Sequence, residues 1–459
     1  MEGARDTREL MQEAAARASA YLESLTERLA APTPEAIDGL AKLGGPLPEK
    51  PLDSVDVLAL LDEIGSPATV ASAGGRYFGF VIGGSLPATL AANWLGGAWD
   101  QNAAFVTSSP VGAYLETTAL DWLLDLLGLP PQAGGGFVTG ATMANFTCLA
   151  AARHAVLRRA GWDVEAQGLF GAPPIRVVVG DEVHVSLQKG LSLLGLGRDR
   201  VTRVPVDGQG RMRPEAISET DGRTILCVQA GNVSTGAFDP AHELCRIAHE
   251  AGAWVHVDGA FGLWAAADPY RAYLAEGVAN ADSWAVDCHK WLNVPYDSAV
   301  AICRDADQLK AAMSATAAYL QTGDQREPSN YTPEMSRRAR GVEIWAAIRS
   351  LGRDGVADLI ERSCRQATRF AEGLRVAGYE VLNEVNLNQV LVSFGDAEVT
   401  RRVIGGIQAD GTCWAGGTVW QGHTAMRISV SSWATTDEDV ERSLAAILRI
   451  AAENGAVRR

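Results

Sequence analysis

The stretch SWAVDCHKWLNVPYD, residues 283–297, sets one of only five lysines between two apolar runs. The others are Lys42, Lys50, Lys189 and Lys310, and arginine carries nearly all the remaining positive charge. A lysine is costly to bury as a cation, so Lys290 either snorkels outward or is kept for the chemistry of its amine. The run before it has the character of a buried strand. Similar short runs recur at IRVVVG (175–180), TILCVQ (224–229), AWVHVD (253–258) and SAVAIC (298–303). Helical stretches such as AHELCRIAHEAG (241–252) separate several of them. Strands alternating with helices predict an α/β fold, with a largely parallel sheet covered on its faces. In such sheets ligands sit at the carboxyl ends of the strands.

The chain has 459 residues, enough for two or three domains, and its 47% hydrophobic content supports a large core. A formal net charge of −15 argues against nucleic acid or an anionic membrane as partner. No apolar run approaches a membrane span. Residues 1–30 are dotted with charge and lack the apolar stretch of a signal peptide. The seven cysteines are scattered without a CxxC pair, which suits reduced thiols in a cytoplasmic protein. The seven histidines show no HExxH spacing, so no metal site is expected and a metal hydrolase is disfavoured.

Residues 8–30 carry a helical pattern, and the Pro- and Gly-rich residues 31–51 read as an irregular connection. A long helical pattern starts near residue 336. VLVSF, MRISVSS and a final helix DEDVERSLAAILRIAAEN suggest a smaller α+β domain after it.

Four signals fall at or just after strand ends. In VTGATMANFTCLAAAR (138–153) a glycine turn enters an Ala-rich helix. Free N–H groups and the helix dipole there suit a phosphate, although the same pattern is an ordinary cap. Asp258 ends a strand in HVDGAFG (256–262), His184 follows one in DEVHVSLQKG (181–190), and Lys290 is the fourth. Alone, Asp258 reads as a turn residue and His184 as a structural histidine. Together they meet the needs of pyridoxal 5′-phosphate. An amine condenses with an aldehyde, a helix N-terminus takes a phosphate, a carboxylate pairs with the pyridinium nitrogen, and a ring stacks on the cofactor.

On these residues the chain resembles the group II pyridoxal-phosphate-dependent amino acid decarboxylases, relatives of aromatic-L-amino-acid decarboxylase and glutamate decarboxylase. DCHKWLNVPYDSA is similar to the family's N-P-H-K-W-L motif, HVDGAFG to its H-V-D-A-A pattern, and TGATMAN to its S-G-G-T-E-A-N loop. YFGF (77–80), SSPVGAYLETTALDWL (108–123), QAGNVSTGAFDP (229–240) and SRRARGVEIWAAIRSLGRDG (336–355) extend the likeness over about residues 70–440.

The resemblance implies the fold-type I architecture, with a seven-stranded-type sheet and a smaller C-terminal domain. It divides the chain into an N-terminal helical segment 1–70 packing on a dimer partner, a large cofactor-binding domain 71–325, and a lid loop with the small domain over 326–459. Lys290 would hold the cofactor as a Schiff base and Asp258 would keep its ring nitrogen protonated. Ala260 would let the ring lie close to the backbone, and His184 would stack on the opposite face. Ala141, Thr142 and His289 would contact the phosphate, with Asn232 or Ser234 adding ring contacts. Tyr331, in the polar stretch TGDQREPSNYTPEMSRRAR (322–340), would reprotonate Cα from a lid, against the plainer reading of a surface tyrosine. Arg427 would bind a substrate carboxylate, against the plainer reading of an ion pair. Phe78, Phe80, Trp99 and Phe105 would line an apolar pocket for an aromatic or bulky L-amino acid.

Two departures stand out. Asp287 replaces the family's asparagine, where a carboxylate would repel a phosphate unless paired or turned away. Met143 replaces the glutamate of the phosphate loop. The expected activity is decarboxylation of an L-amino acid to an amine and CO2 by a homodimer with active sites at its interface. An aldehyde synthase, a carbon–carbon lyase or an aminotransferase is the alternative. A non-catalytic scaffold is disfavoured, because lysine, aspartate and phosphate loop are all present.

Overall fold

The computed structural model describes residues 7–315 and 325–457. The first three residues of the expected lid stretch, 322–324, therefore lie outside the described residues. The chain divides into two compact units. One comprises residues 83–368 and 383–390; the other comprises the chain up to 82, 369–382 and the chain from 391 onward.

The first unit is built on a seven-stranded sheet. Its strands are β1 (Gly134–Val138), β2 (Arg176–Gly180), β3 (Thr202–Val204), β4 (Thr224–Gln229), β5 (Trp254–Asp258), β6 (Ser283–Asp287) and β7 (Ala299–Cys303), in the order β1-β7-β6-β5-β4-β2-β3. β7 runs antiparallel to both β1 and β6, whereas β2 to β6 pair in parallel. The carboxyl ends of β1, β2, β4, β5 and β6 therefore share one edge. Strands β4 to β7 are buried almost throughout, as expected of a sheet covered on both faces. Trp254 and Trp284 keep their indole N–H groups satisfied, on the Ser283 hydroxyl at 2.9 Å and the Val278 carbonyl at 2.9 Å.

The helix Ala141–Arg159 lies against this sheet through Ala144, Cys148, Ala151, Ala152 and Ala155. Such small side chains allow backbone and sheet to approach closely. Arg158 and Arg159 in its last turn complement the helix dipole.

β1 reads GGGFV, which the sequence does not mark as a strand because glycine is poor in strands. The structure explains its composition. A Cβ at Gly136 would sit 2.3 Å from the Tyr331 carbonyl oxygen, and one at Gly135 would sit 2.8 Å from that of Ala301. The segment over 325–340 is pressed onto this strand. It is anchored by Glu116, only 1% exposed, which accepts from Arg337 at 2.5 Å and pairs with Arg326 at 3.4 Å. Arg337 also donates to the Phe137 carbonyl at 3.3 Å, and the Glu327 carboxylate accepts from the Val106 N–H at 2.8 Å.

A four-stranded sheet in the order β10-β11-β9-β8 belongs to the second unit from Leu391 onward in β9 and throughout its other strands. Its strands are β8 (Glu380–Val381), β9 (Gln389–Ser393), β10 (Gly416–Trp420) and β11 (His423–Ser429). The final helix, Asp437–Glu453, opens with a capping box between Thr436 and Asp439. Arg76, 5% exposed, donates to the carbonyls of Thr26, Arg28 and Thr412, fastening the end of the N-terminal region within this unit. Within 31–51, expected to be irregular, Pro34–Gly39 form a short helix. Thr33 and Pro34 supply the N-cap and first position that start it.

Candidate active site

The carboxyl edge of the larger sheet gathers most of the residues singled out from the sequence. β6 ends at Asp287 and the chain turns through Cys288 and His289 to Lys290. The turn is tight enough that a Cβ on Gly83 would collide with the Lys290 carbonyl oxygen at 1.7 Å. The Lys290 side chain is 19% exposed, and its Nζ lies 2.7 Å from Asp287 Oδ2. The other Asp287 oxygen accepts from the Ala141 N–H at 2.5 Å. Asp287 thus neither points away nor stands unpaired. It caps the start of the helix Ala141–Arg159 where Gly140 has no side chain to do so, and it faces the lysine amine.

His289 stacks on Tyr296 with ring centroids 4.3 Å apart. Its Nδ1 accepts from the Ser298 N–H at 3.2 Å, which leaves the proton of the neutral ring on Nε2, 3.6 Å from Asp287 Oδ1. Burial lowers the His289 pKa and so favours this neutral form.

β5 places Asp258 next to β6, in register with Ala285. Asp258 is 6% exposed. Its Oδ1 accepts from the Ala260 N–H at 3.3 Å and its Oδ2 from the Asn145 side chain at 3.1 Å. Ala260 is half-buried, and its carbonyl accepts from the Asp287 N–H at 2.9 Å, tying the aspartate and lysine turns together. His184 caps the helix Val185–Leu193 after β2, with Nδ1 on the Ser186 N–H and hydroxyl at 3.2 and 2.8 Å. Thr142 is half-buried in the first turn of its helix.

Other expected residues stand differently. Asn232 is buried after β4, where its side-chain oxygen accepts from the Ser234 and Thr235 N–H groups at 2.8 and 3.3 Å. That oxygen holds its own turn. Phe105 is half-buried in the loop before the helix Pro110–Leu126. Tyr331 packs at the opposite end of β1, with its ring beside Gly134 and the Arg326 guanidinium 4.4 Å from the ring centroid. It is not brought to Lys290 in this chain. In the second unit, Phe78 is buried edge-on against Phe370 at 5.1 Å, whereas Phe80 is exposed and stacked on Trp414 at 5.5 Å. Arg427 lies on β11 opposite Gly416, and burial lowers its pKa.

Sequence reasoning passed over Asn145 and His256. Both were signalled: Asn145 follows Ala141 by one helical turn, and His256 shares a strand face with Asp258 two residues on.

This donor set fits pyridoxal phosphate. Lys290 offers an amine, and Asp258 an acceptor beside the small, half-buried Ala260. The first turn of the helix after Gly140, whose Ala141 N–H is held by Asp287, and the Nε2–H of His289 offer donors for a phosphate.

Comparisons with known proteins agree. The pyridoxal-dependent decarboxylase conserved domain matches residues 64–395. The aromatic-L-amino-acid decarboxylase of Bacillus atrophaeus is 27% identical over 299 residues, covering 62% of this chain and 60% of that protein. A phenylacetaldehyde synthase of Arabidopsis thaliana is 26% identical over 367 residues, covering 73% of each. The chain thus spans about three fifths of the length of the Bacillus relative. Among solved structures, Oryza sativa TDC with PLP and tryptamine superposes with a TM-score of 0.90 at 22% identity, over 98% of this chain and 99% of that one, a likeness of fold. With its domain matched over most of its length and its lysine, aspartate and helix start assembled on one sheet edge, this chain belongs to the pyridoxal-dependent decarboxylase family.

Proposed function

We propose that the protein removes the carboxylate of an aromatic or otherwise bulky L-amino acid as CO2 and releases the amine. The observation that carries this reading is that Asp258 ends β5 and Lys290 follows the end of the adjacent strand β6, on one carboxyl edge beside a helix start. When bound, pyridoxal phosphate supplies an aldehyde for the amine and a ring that accepts the electron pair left on Cα. In this reading Lys290 would hold the cofactor through its amine. Asp258 accepts the ring N–H, and Ala260 leaves room for the ring. His184 would cover its other face, and Thr142 and His289 would donate to the phosphate, joined by the Ala141 N–H once Asp287 releases it. Asn232 acts through its turn, and Tyr331 is left out of the reacting groups because it packs beside Gly134. Phe105 and Arg427 keep their proposed parts in substrate binding, whereas Phe78 acts as a core residue.

A homodimer is part of the proposal. Leu22, Leu29, Leu47, Leu52, Leu60 and Leu61 are exposed in the N-terminal region, the kind of apolar surface a partner subunit covers. Among the described residues no helix is long and apolar enough to cross a membrane. Buried free cysteines and the negative net charge are in keeping with a cytoplasmic protein acting on a small molecule. The Arabidopsis relative favours a second reading, in which an aldehyde replaces the amine. Incubation with pyridoxal phosphate and pooled L-amino acids, read by mass spectrometry, separates the two. One amine with its parent acid consumed supports decarboxylation; an aldehyde or keto acid overturns it in favour of a sister reaction.

A further inference from the structure

Asn145 is fully buried and uses its whole side-chain amide. Its oxygen lies 2.9 Å from His256 Nε2. Its nitrogen donates to Asp258 Oδ2 at 3.1 Å and to the Ser186 hydroxyl at 3.4 Å. The direction of these bonds follows from Asp258. A carboxylate can only accept, so the amide nitrogen faces it and the amide oxygen faces His256. In the neutral ring His256 therefore carries its proton on Nε2 and gives it to the Asn145 oxygen. Its Nδ1 then accepts from the Ser283 hydroxyl at 3.0 Å, while the Ser283 oxygen accepts from the Trp254 indole at 2.9 Å.

The second amide proton reaches Ser186, whose hydroxyl and N–H both serve Nδ1 of His184. A backbone N–H can only donate, so His184 holds its proton on Nε2. The Ser186 N–H thus sets the His184 side by itself, and Asn145 acts on the Asp258 side.

We propose that Asn145 is a positioning residue, which keeps Asp258 an acceptor for the cofactor's ring N–H. This rests on the reading of the edge as a pyridoxal-phosphate site. A carboxylate that accepts a fixed N–H is favoured as the charged, accepting form, and the ring keeps its proton. Without that N–H the shared proton moves toward Asp258.

The test is titration of the full-length apoprotein with pyridoxal phosphate labelled with 15N in the ring, followed by absorbance and by NMR. The wild type, Asn145→Ala, Asp258→Ala and the double variant are compared, with thermal melting as a check on folding. The loss of one buried charged hydrogen bond corresponds to about tenfold weaker uptake for Asn145→Ala. Its ring nitrogen moves toward the unprotonated shift. In the Asp258→Ala background the same change costs less than about threefold, because the partner is already gone. Asn145→Leu has a similar shape and cannot donate, and should lose at least as much; it carries the test if the alanine variant does not fold. Wild-type uptake with equal losses in both backgrounds, or with an unmoved ring nitrogen in Asn145→Ala, overturns the inference alone. No uptake by the wild type overturns the reading of the site as well.

Discussion

The Asp287 carboxylate is shared between the Lys290 amine, at 2.7 Å, and the first free N–H of the helix Ala141–Arg159, at 2.5 Å. The place where a helix would greet an anion is thus already held by a side chain, and that side chain neutralises the lysine. Asp287→Asn keeps the shape and removes the negative charge. Cofactor uptake by the apoprotein should tighten by at least about tenfold, since two like charges a few ångströms apart at an effective dielectric near 20 repel by more than the roughly 1.4 kcal/mol that a tenfold change requires. The melting temperature without cofactor should fall, because Lys290 loses its partner. Unchanged or weaker uptake in a cofactor titration would show that Asp287 does not oppose the phosphate.

Replacing Asp258 by Ala should leave the melting temperature within a few degrees and lower turnover by roughly a hundredfold or more, the scale on which a lost charge partner acts on a reacting group. Turnover on the substrate found by product analysis is the measurement. A variant within threefold of wild type would remove Asp258 from the chemistry.

Glu116 and Arg337 are each 1% exposed and 2.5 Å apart, with Arg326 as a second partner. Glu116→Gln leaves a buried guanidinium without its counter-charge, which should cost about 3–5 kcal/mol in urea unfolding. Limited proteolysis should then cut within residues 325–340, the segment that these arginines hold on β1. Stability within 1 kcal/mol of wild type would contradict the clamp.

Asp239 accepts from the Met212 and Gln229 N–H groups, both at 2.7 Å. Burial outweighs these bonds and pushes its carboxyl up to about 6. A carboxyl raised in the folded state contributes stability that is full below its unfolded value, near 4, and is lost as pH rises through about 6. The wild type should therefore lose about 2 kcal/mol relative to Asp239→Asn between about pH 4 and 7. Urea unfolding across that range measures the difference, and a constant difference would mean that Asp239 ionises normally.

The parts of the site legible in the sequence are those whose chemistry is local. Lys290 between apolar runs, Asp258 at a strand end and Ala141 after a glycine turn each carry a short-range signal, and the structure sets them on one sheet edge. What the sequence hides depends on distant partners. The glycines of β1 make sense only against the Tyr331 and Ala301 backbones. Phe78 and Phe80 alternate in one motif, yet one ring is buried on Phe370 and the other lies exposed on Trp414. Tyr331 sits in a polar, proline-containing stretch that looks like a lid, but Glu116, far away in sequence, holds its flanking arginines down.

The most direct test of the central claim is to load the protein with pyridoxal phosphate, reduce it with borohydride and map the modified peptide by mass spectrometry. With five lysines in the chain, the pyridoxyl group should be fixed on Lys290, and Lys290→Ala should abolish both the label and the visible absorbance band. A label on Lys189 or another lysine, or a band that persists without Lys290, would contradict it.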